Sequence, residues 1–154
     1  MITNLDYRLN VVSTLDDALL VSHKVFSPSE KEVLKYHDKN DWLNKIRNKG
    51  LLISVYDDIK CVAFAICYKK EKDQLHIWSV GVLDTYRGRG IWKQIYKNII
   101  QYAQEKGFQK LSLNTYKDEF PNMYTFVKKE GFKLLSEEKN PDGSIKSRFV
   151  KNIM

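Results

Sequence analysis

Short alternating and apolar runs, broken by helical periods, organise this chain. Tyr7 to Val12 alternates and predicts a first strand. Thr14, with Asp16 and Asp17 behind it, has the form of a helix start, and that helix is expected to run to about Phe26. Ser27-Pro-Ser-Glu30 restarts the chain with a serine cap and a glutamate in the first turn. A helical stretch, or a pair of short helices, then carries Val33, Leu34, Tyr36, Trp42, Leu43 and Ile46 as far as Lys49, where Gly50 is expected to stop it. Leu51 to Tyr56 and Ile59 to Tyr68 read as strands around an Asp57-Asp58 hairpin turn. Lys69 to Asp73 is a second polar turn, and Gln74 to Leu83 is a further strand.

From Ile91 the apolar residues Ile95, Ile99, Tyr102 and Ala103 recur at helical spacing, with Gly107 as the stop. Gln109 to Thr115 predicts a strand. Pro121 opens a short helix to about Glu130. Gly131-Phe132 leads into a strand ending at Glu138, and Asn140-Pro-Asp-Gly143 turns the chain into a last strand, Ile145 to Ile153. The resulting order is β-α-α-β-β-β-α-β-α-β-β. A helix crossing between the fourth and fifth strands implies an α/β (α+β) fold with a mixed sheet and helices on both faces.

Composition narrows the class without naming a function. At 154 residues, with 43% apolar and 29% charged residues, a single domain covering residues 1–154 with a real core is expected. The first residues are polar with no apolar signal region behind them, and no apolar run approaches bilayer length, so a cytoplasmic protein without membrane contact is expected. Cys61 and Cys67 lie in one predicted strand, which separates them by roughly 20 Å and excludes a disulfide. They read as small core residues. His23, His37 and His76 are scattered, and no metal-ligand spacing is present, so no metal is expected. The net charge of +7 suits an anionic ligand, but no zinc-finger or RNA-binding aromatic signature accompanies it.

The candidate chemistry sits where the fourth strand meets the long helix, in Val82 to Ile91, VLDTYRGRGI. Arg87-Gly88-Arg89-Gly90 directs backbone N–H groups outward at a helix N-terminus, a seat for a phosphate or pyrophosphate. The glycines admit close approach of an anion and the arginines add charge.

This turn, the element order and the closing Gly131-Phe132 together resemble the GNAT superfamily of acyl-CoA-dependent N-acyltransferases, whose motif has the form V-x-P-x-Y-R-G-x-G-I. The resemblance spans nearly the whole chain and implies a mostly antiparallel GNAT-like sheet. It implies acetyl-CoA as cosubstrate, with Arg87, Gly88, Arg89, Gly90 and Ile91 holding the pyrophosphate. It further implies that the backbone of Val80 and Val82 bonds the pantetheine arm, the Val80 N–H donating to the thioester carbonyl, and Gly81 is a candidate bulge splaying the strand. Three departures stand out. The Arg/Gln-x-x-Gly-x-Gly/Ala motif fits in two registers, one placing Trp92 where a small residue is usual, the other Thr85 where Arg or Gln is usual. Asp84 replaces a proline. The family's usual acid, a tyrosine four residues before the Gly-Phe glycine, is Val127, and the asparagine and alanine of the preceding helix are Phe120 and Met123.

His76, on the fourth strand, resembles the position where several members carry a glutamate or histidine base, and its ordinary pKa suits proton acceptance near neutrality. Tyr124, one helical turn before Val127, is the nearest substitute acid, with Tyr116 as its rival. The resemblance implies an amine acceptor, a small molecule or a peptide, received between the first two helices and the last hairpin. Those are Phe26 to Tyr36 and Glu137 to Gly143, where Glu137 and Glu138 would favour a cationic amine. A homodimer is compatible with this reading, and no nucleic-acid partner is expected. Two other functions stay open: an acyl-CoA-binding module without turnover, and a basic nucleic-acid-binding domain.

Overall fold

The computed structural model describes residues 4–26 and 39–154. The Ser27 to Glu30 restart, Val33, Leu34, Tyr36 and His37 lie outside the described residues, as does most of the expected acceptor wall on that side. Among the described residues the elements run β1 (Asp6–Leu9), α1 (Leu15–Phe26), α2 (Lys39–Arg47), β2 (Leu51–Asp57), β3 (Lys60–Glu71), β4 (Gln74–Val82), α3 (Ile91–Glu105), β5 (Lys110–Tyr116), α4 (Pro121–Lys129), β6 (Lys133–Lys139) and β7 (Ile145–Asn152). The strands form one seven-stranded sheet in the order β1-β2-β3-β4-β5-β7-β6. All neighbours are antiparallel except β4 and β5, which the α3 crossover makes parallel.

Helices cover both faces. Ile91, Ile95, Ile99 and Ala103 form the buried stripe of α3 and pack, together with Val127 of α4, on one face of the sheet. Leu15, Ala18 and Leu19 of α1 and Trp42 and Ile46 of α2 pack on Leu52, Phe64 and Ile66 of the other face. Removal of each such large side chain from water contributes about 1.5–3 kcal/mol. Cys61 and Cys67 are free thiols and pack on opposite faces. A register shift between Val55 and Tyr56 adds Val62 as an extra residue, which breaks the two-residue alternation between the cysteines.

Several local features depart from the sequence pattern, each for a visible reason. The first strand ends at Leu9 instead of Val12, because Asn10 adopts φ 56° and replaces the ladder. Its N–H donates to the Leu52 carbonyl and its Oδ1 accepts from the Leu52 N–H, each at 2.8 Å. Thr14 does not cap α1. Its hydroxyl shares a 2.7 Å hydrogen bond with Ser54 across the α1–β2 contact. The left-handed residue after α2 is Lys49, at φ 58°, and not Gly50. Gly50 is required for space, since a Cβ there would stand 2.1 Å from the Lys45 carbonyl oxygen and 2.8 Å from that of Cys67. Ile59 belongs to the hairpin turn, where it is 90% exposed.

The bulge in β4 also differs from expectation. Ile66 pairs with Ser79 while Cys67 pairs with Ile77, so the extra residue is Trp78 and not Gly81. Gly81 is paired with Phe64, and a Cβ on it would lie 2.7 Å from the Phe64 ring and 3.2 Å from Val25. Its role is to let β4 lie close beneath α1. Overpacking costs about 1–3 kcal/mol where side chains can yield, and more where they cannot. Gly50→Ala, which meets only backbone, is therefore expected to lower the urea midpoint more than Gly81→Ala, which meets a ring and a valine. Equal losses would show that the chain around Gly50 yields as readily as a side chain.

Candidate active site

The ladder between β4 and β5 runs only from Gln74–Lys110 to Ile77–Leu113. Beyond that pair the strands part, β5 staying with β7 and β4 with β3. The gap is a cleft through the sheet. Its inner half, about 170 Å³, is walled by Trp78, Val80, Leu113, Asn114 and Tyr116 with Met123 of α4. Its outer half, about 410 Å³, continues past Val82 to Arg87 and the start of α4. Trp92, Phe26, Phe120 and Met123 border both halves.

The parting leaves one edge of β4 without a partner strand. Leu83 donates to the Val62 carbonyl at 2.9 Å, toward β3. Successive residues of a strand direct their backbone groups to opposite edges, so Val82 and Val80 direct theirs into the cleft. The Val82 carbonyl there accepts a hydrogen bond from Arg87 Nε at 3.1 Å.

At its outer end the cleft meets the glycine turn. Gly88 and Gly90 have φ of 76° and 80°, and a Cβ on either would meet nothing within 4 Å. Gly90 is the N-cap of α3 without a side-chain cap, and the first intrahelical donor is Gln94, bonded to the Gly90 carbonyl. The N–H groups of Ile91, Trp92 and Lys93 precede that bond, and the first turn contains no acidic residue. The helix dipole and these donors stand at the outer half of the cleft, which Arg87 lines, an arrangement that fits a pyrophosphate. The turn is anchored from behind. Tyr86 donates to Asp57 at 2.5 Å, which raises the phenol pKa, and the Arg89 guanidinium lies 5.0 Å from the Tyr86 ring centre. Asp84 pairs with Arg87 at 3.0 Å.

Residues 16–132 match the model of the Acetyltransferase (GNAT) family. The chain belongs to the GNAT acetyltransferase family. An N-acetyltransferase from Staphylococcus aureus Mu50 has the same fold, with a TM-score of 0.82 at 16% identity over 99% of this chain and 100% of that one. The ribosomal-protein-S18-alanine N-acetyltransferase from Escherichia coli gives 0.79 at 14% identity over 97% and 94%. The PaiA N-acetyltransferase from Thermoplasma acidophilum, solved in complex with coenzyme A, gives 0.75 at 16% over 97% and 99%. The chain matches no curated protein sequence.

Within this GNAT fold, the residues expected to move protons are not all brought to the cleft. Val80, Val82 and Arg87 border it, and Gly88, Arg89, Gly90 and Ile91 follow Arg87 into the start of α3. His76 does not line it. It lies in the paired part of β4, 3% exposed, its Nδ1 2.8 Å from Ser112 Oγ and its ring against Tyr68. Burial, reinforced by Lys70, Lys146 and Arg148, pushes its pKa down to about 3. The bulge at Trp78 is the structural reason for its separation from Val80: it breaks the alternation that would otherwise put His76 and Val80 on one face. Tyr124 packs edge-on against Phe149, with Lys117 and Lys128 near its ring, and does not border the cleft either. Met123 and Phe126 take the cleft side of α4, and Tyr124 is turned away by one helical step. Tyr116 does border the cleft. Val127 is fully buried in the core.

Trp78 and Asn114 border the cleft without having stood out in the sequence. The bulge and the parting of β4 from β5 expose them, and neither event has a local sequence signal. Among the described residues no three His, Cys, Asp or Glu side chains are grouped to hold a metal ion, and no helix is long and apolar enough to cross a membrane.

The His76 placement has a measurable pH consequence. Its folded pKa lies below its ordinary 6.5. The unfolded chain therefore binds the proton first, and the contribution of His76 to stability is complete above about pH 6.5 and lost as pH falls toward 3. Its imidazole NMR signals are expected not to titrate between about pH 8 and 5, and His76→Gln should lessen the loss of stability between about pH 6.5 and 5. A titration midpoint near that of an ordinary histidine would contradict the placement.

Proposed function

We propose that this chain transfers the acetyl group of acetyl-CoA to a primary amine. The observation that carries the reading is the unpartnered edge of β4, with Val80 and Val82 directed into a cleft that ends at the glycine turn. In this reading the turn and the α3 N-terminus bind the pyrophosphate, and the β4 edge bonds the amides of the pantetheine arm. The Val80 N–H faces the carbonyl oxygen that gains negative charge as the amine nitrogen adds to carbon. The C–N bond forms, the C–S bond breaks, and the nitrogen releases its proton while the sulfur takes one.

Proton traffic is simple in this site. Among the described residues the inner half of the cleft holds no carboxylate and no imidazole. We assign loss of the amine proton to water, and delivery of a proton to the thiolate to Tyr116. A thiolate leaves without full protonation, so the acid assists without being indispensable. The scarcity of titratable groups also favours a second reading, an acyl-CoA-binding module without turnover. Thiol release from acetyl-CoA with a panel of amines separates the two.

Three outcomes are expected. Coenzyme A should raise the melting temperature, since a ligand of the folded state at a hundred times its Kd stabilises by about 2.7 kcal/mol. Gly90→Glu should abolish that shift, and Gly90→Ala, equally strained but uncharged, should keep part of it. No shift in the wild type at millimolar ligand overturns the reading. Tyr116→Phe should lower turnover by about a hundredfold or more, with coenzyme A binding intact. Tyr124→Phe should change it less than about twofold, and the reverse order would assign the acid to α4. The ascending limb of kcat/KM against pH should follow the pKa of the acceptor amine, moving when a less basic amine is used. A limb fixed near that of a histidine or carboxylate for all amines would reveal a side-chain base.

A further inference from the structure

On the α1/α2 side of the sheet the cleft opens between Trp78 of β4 and Asn114 and Tyr116 of β5. Residues directly opposite on antiparallel strands share a face. β7 sets Arg148 opposite Asn114 and Lys146 opposite Tyr116, so both cations stand on the face where the cleft opens. With Lys70 they also bear on His76, which lies on this face just before Trp78, and Arg148 bears on Tyr68 as well.

Among the described residues, Asp41 and Glu138 are the acidic groups of this face near the opening, and both are engaged. Asp41 holds Lys45, with 2.7 Å to each oxygen. Glu138 lies opposite Lys146 on β6, yet its Oε1 accepts from Arg148, at 2.9 Å from Nη2 and 3.2 Å from Nε. That bond fixes the guanidinium and leaves Nη1 for a ligand. Glu137 lies on the other face, where Ser147 donates to it at 3.2 Å. Neither glutamate supplies the charge for a cationic acceptor that the sequence suggests. Lys146 and Lys70 have no ion-pair partner among the described residues. Among the described residues the mouth of the cleft therefore carries net positive charge, and one carboxylate serves to orient an arginine.

We propose that the acceptor amine carries an anionic group, a carboxylate or a phosphate, within a few bonds of its nitrogen, and that Lys146 and Arg148 receive it. This rests on the acetyl-transfer reading above. The separation is set by the sheet: β7 lies about 4.8 Å beyond β5, and an amine between β4 and β5 has its neighbouring anion one strand spacing away. An arginine with a fixed plane suits a two-oxygen contact, and the lysine adds a point charge beside it.

Matched amines test the proposal: an α-amino acid against its amide, and glucosamine 6-phosphate against glucosamine. Thiol release gives kcat/KM for each, and the melting shift that each adds to the protein loaded with coenzyme A reads binding without turnover. The anionic member of one pair is expected to be preferred at least tenfold, and the pair that shows it identifies the anion as carboxylate or phosphate. Lys146→Glu should reduce the preference at least fivefold, and Lys146→Arg should restore it. Equal or better use of the uncharged members in both pairs, or an unchanged preference in Lys146→Glu, overturns the anion site while leaving acetyl transfer standing. If no amine releases thiol, an anion-dependent melting shift lost in Lys146→Glu upholds the anion site and counts against acetyl transfer. Absence of that shift as well overturns both.

Discussion

The separation of β4 from β5 after Ile77 and Leu113 is the constraint on which the rest of the structure depends. A parallel ladder that stops after four residue pairs leaves backbone donors and acceptors facing a gap inside the sheet. Buried and unpaired, each such group costs about 1–3 kcal/mol. A folded chain retains such an arrangement only when something else holds the strands apart and something polar fills the space. The first condition is met by packing. Trp78 bulges out of the β3–β4 ladder, Gly81 brings β4 under α1, and Phe26, Phe120 and Met123 stand around the opening. The coenzyme A proposed for the cleft would meet the second, with amide groups along its length and an anion at one end, because the exposed edge runs directly to the α3 N-terminus.

Charge is arranged along the same axis. At the outer end, two arginines and the positive end of α3 surround a turn whose glycines keep the approach open. At the opposite mouth, Arg148 and Lys146 stand beside the strand that carries Tyr116. The middle is apolar and aromatic, walled by Val80, Trp92 and Met123. A low-dielectric middle strengthens any backbone N–H directed at developing charge, which is where the Val80 amide acquires its weight in the proposed acetyl transfer. In that reading, charge at the reacting centre is stabilised by backbone and position more than by titratable side chains.

Much of this was legible in the sequence, and the limits were physical. Helical and strand periods gave the element order, because α3 buries Ile91, Ile95 and Ile99 at the spacing the pattern showed. The glycine turn was legible because its function needs residue types that little else needs in that order. Features decided by partners distant in sequence were not. Asn10 ends β1 only because Leu52 lies opposite. Gly50 is demanded by the carbonyls of Lys45 and Cys67. The bulge at Trp78 shifts the face on which every earlier residue of β4 lies, and so carries His76 away from the cleft. The sequence put Tyr124 ahead of Tyr116, but the rotation of α4, fixed by Val127 in the core, turns Tyr124 from the cleft while Tyr116 borders it.

The most direct measurement of the central claim is amide hydrogen exchange along β4 with and without coenzyme A. In the free protein the Val80 and Val82 amides, directed into the cleft, should exchange much faster than those of Gly81 and Leu83, directed toward β3. Coenzyme A should slow Val80 and Val82 selectively. Val80 and Val82 amides already as protected as their neighbours, or unchanged when coenzyme A binds, would contradict the account.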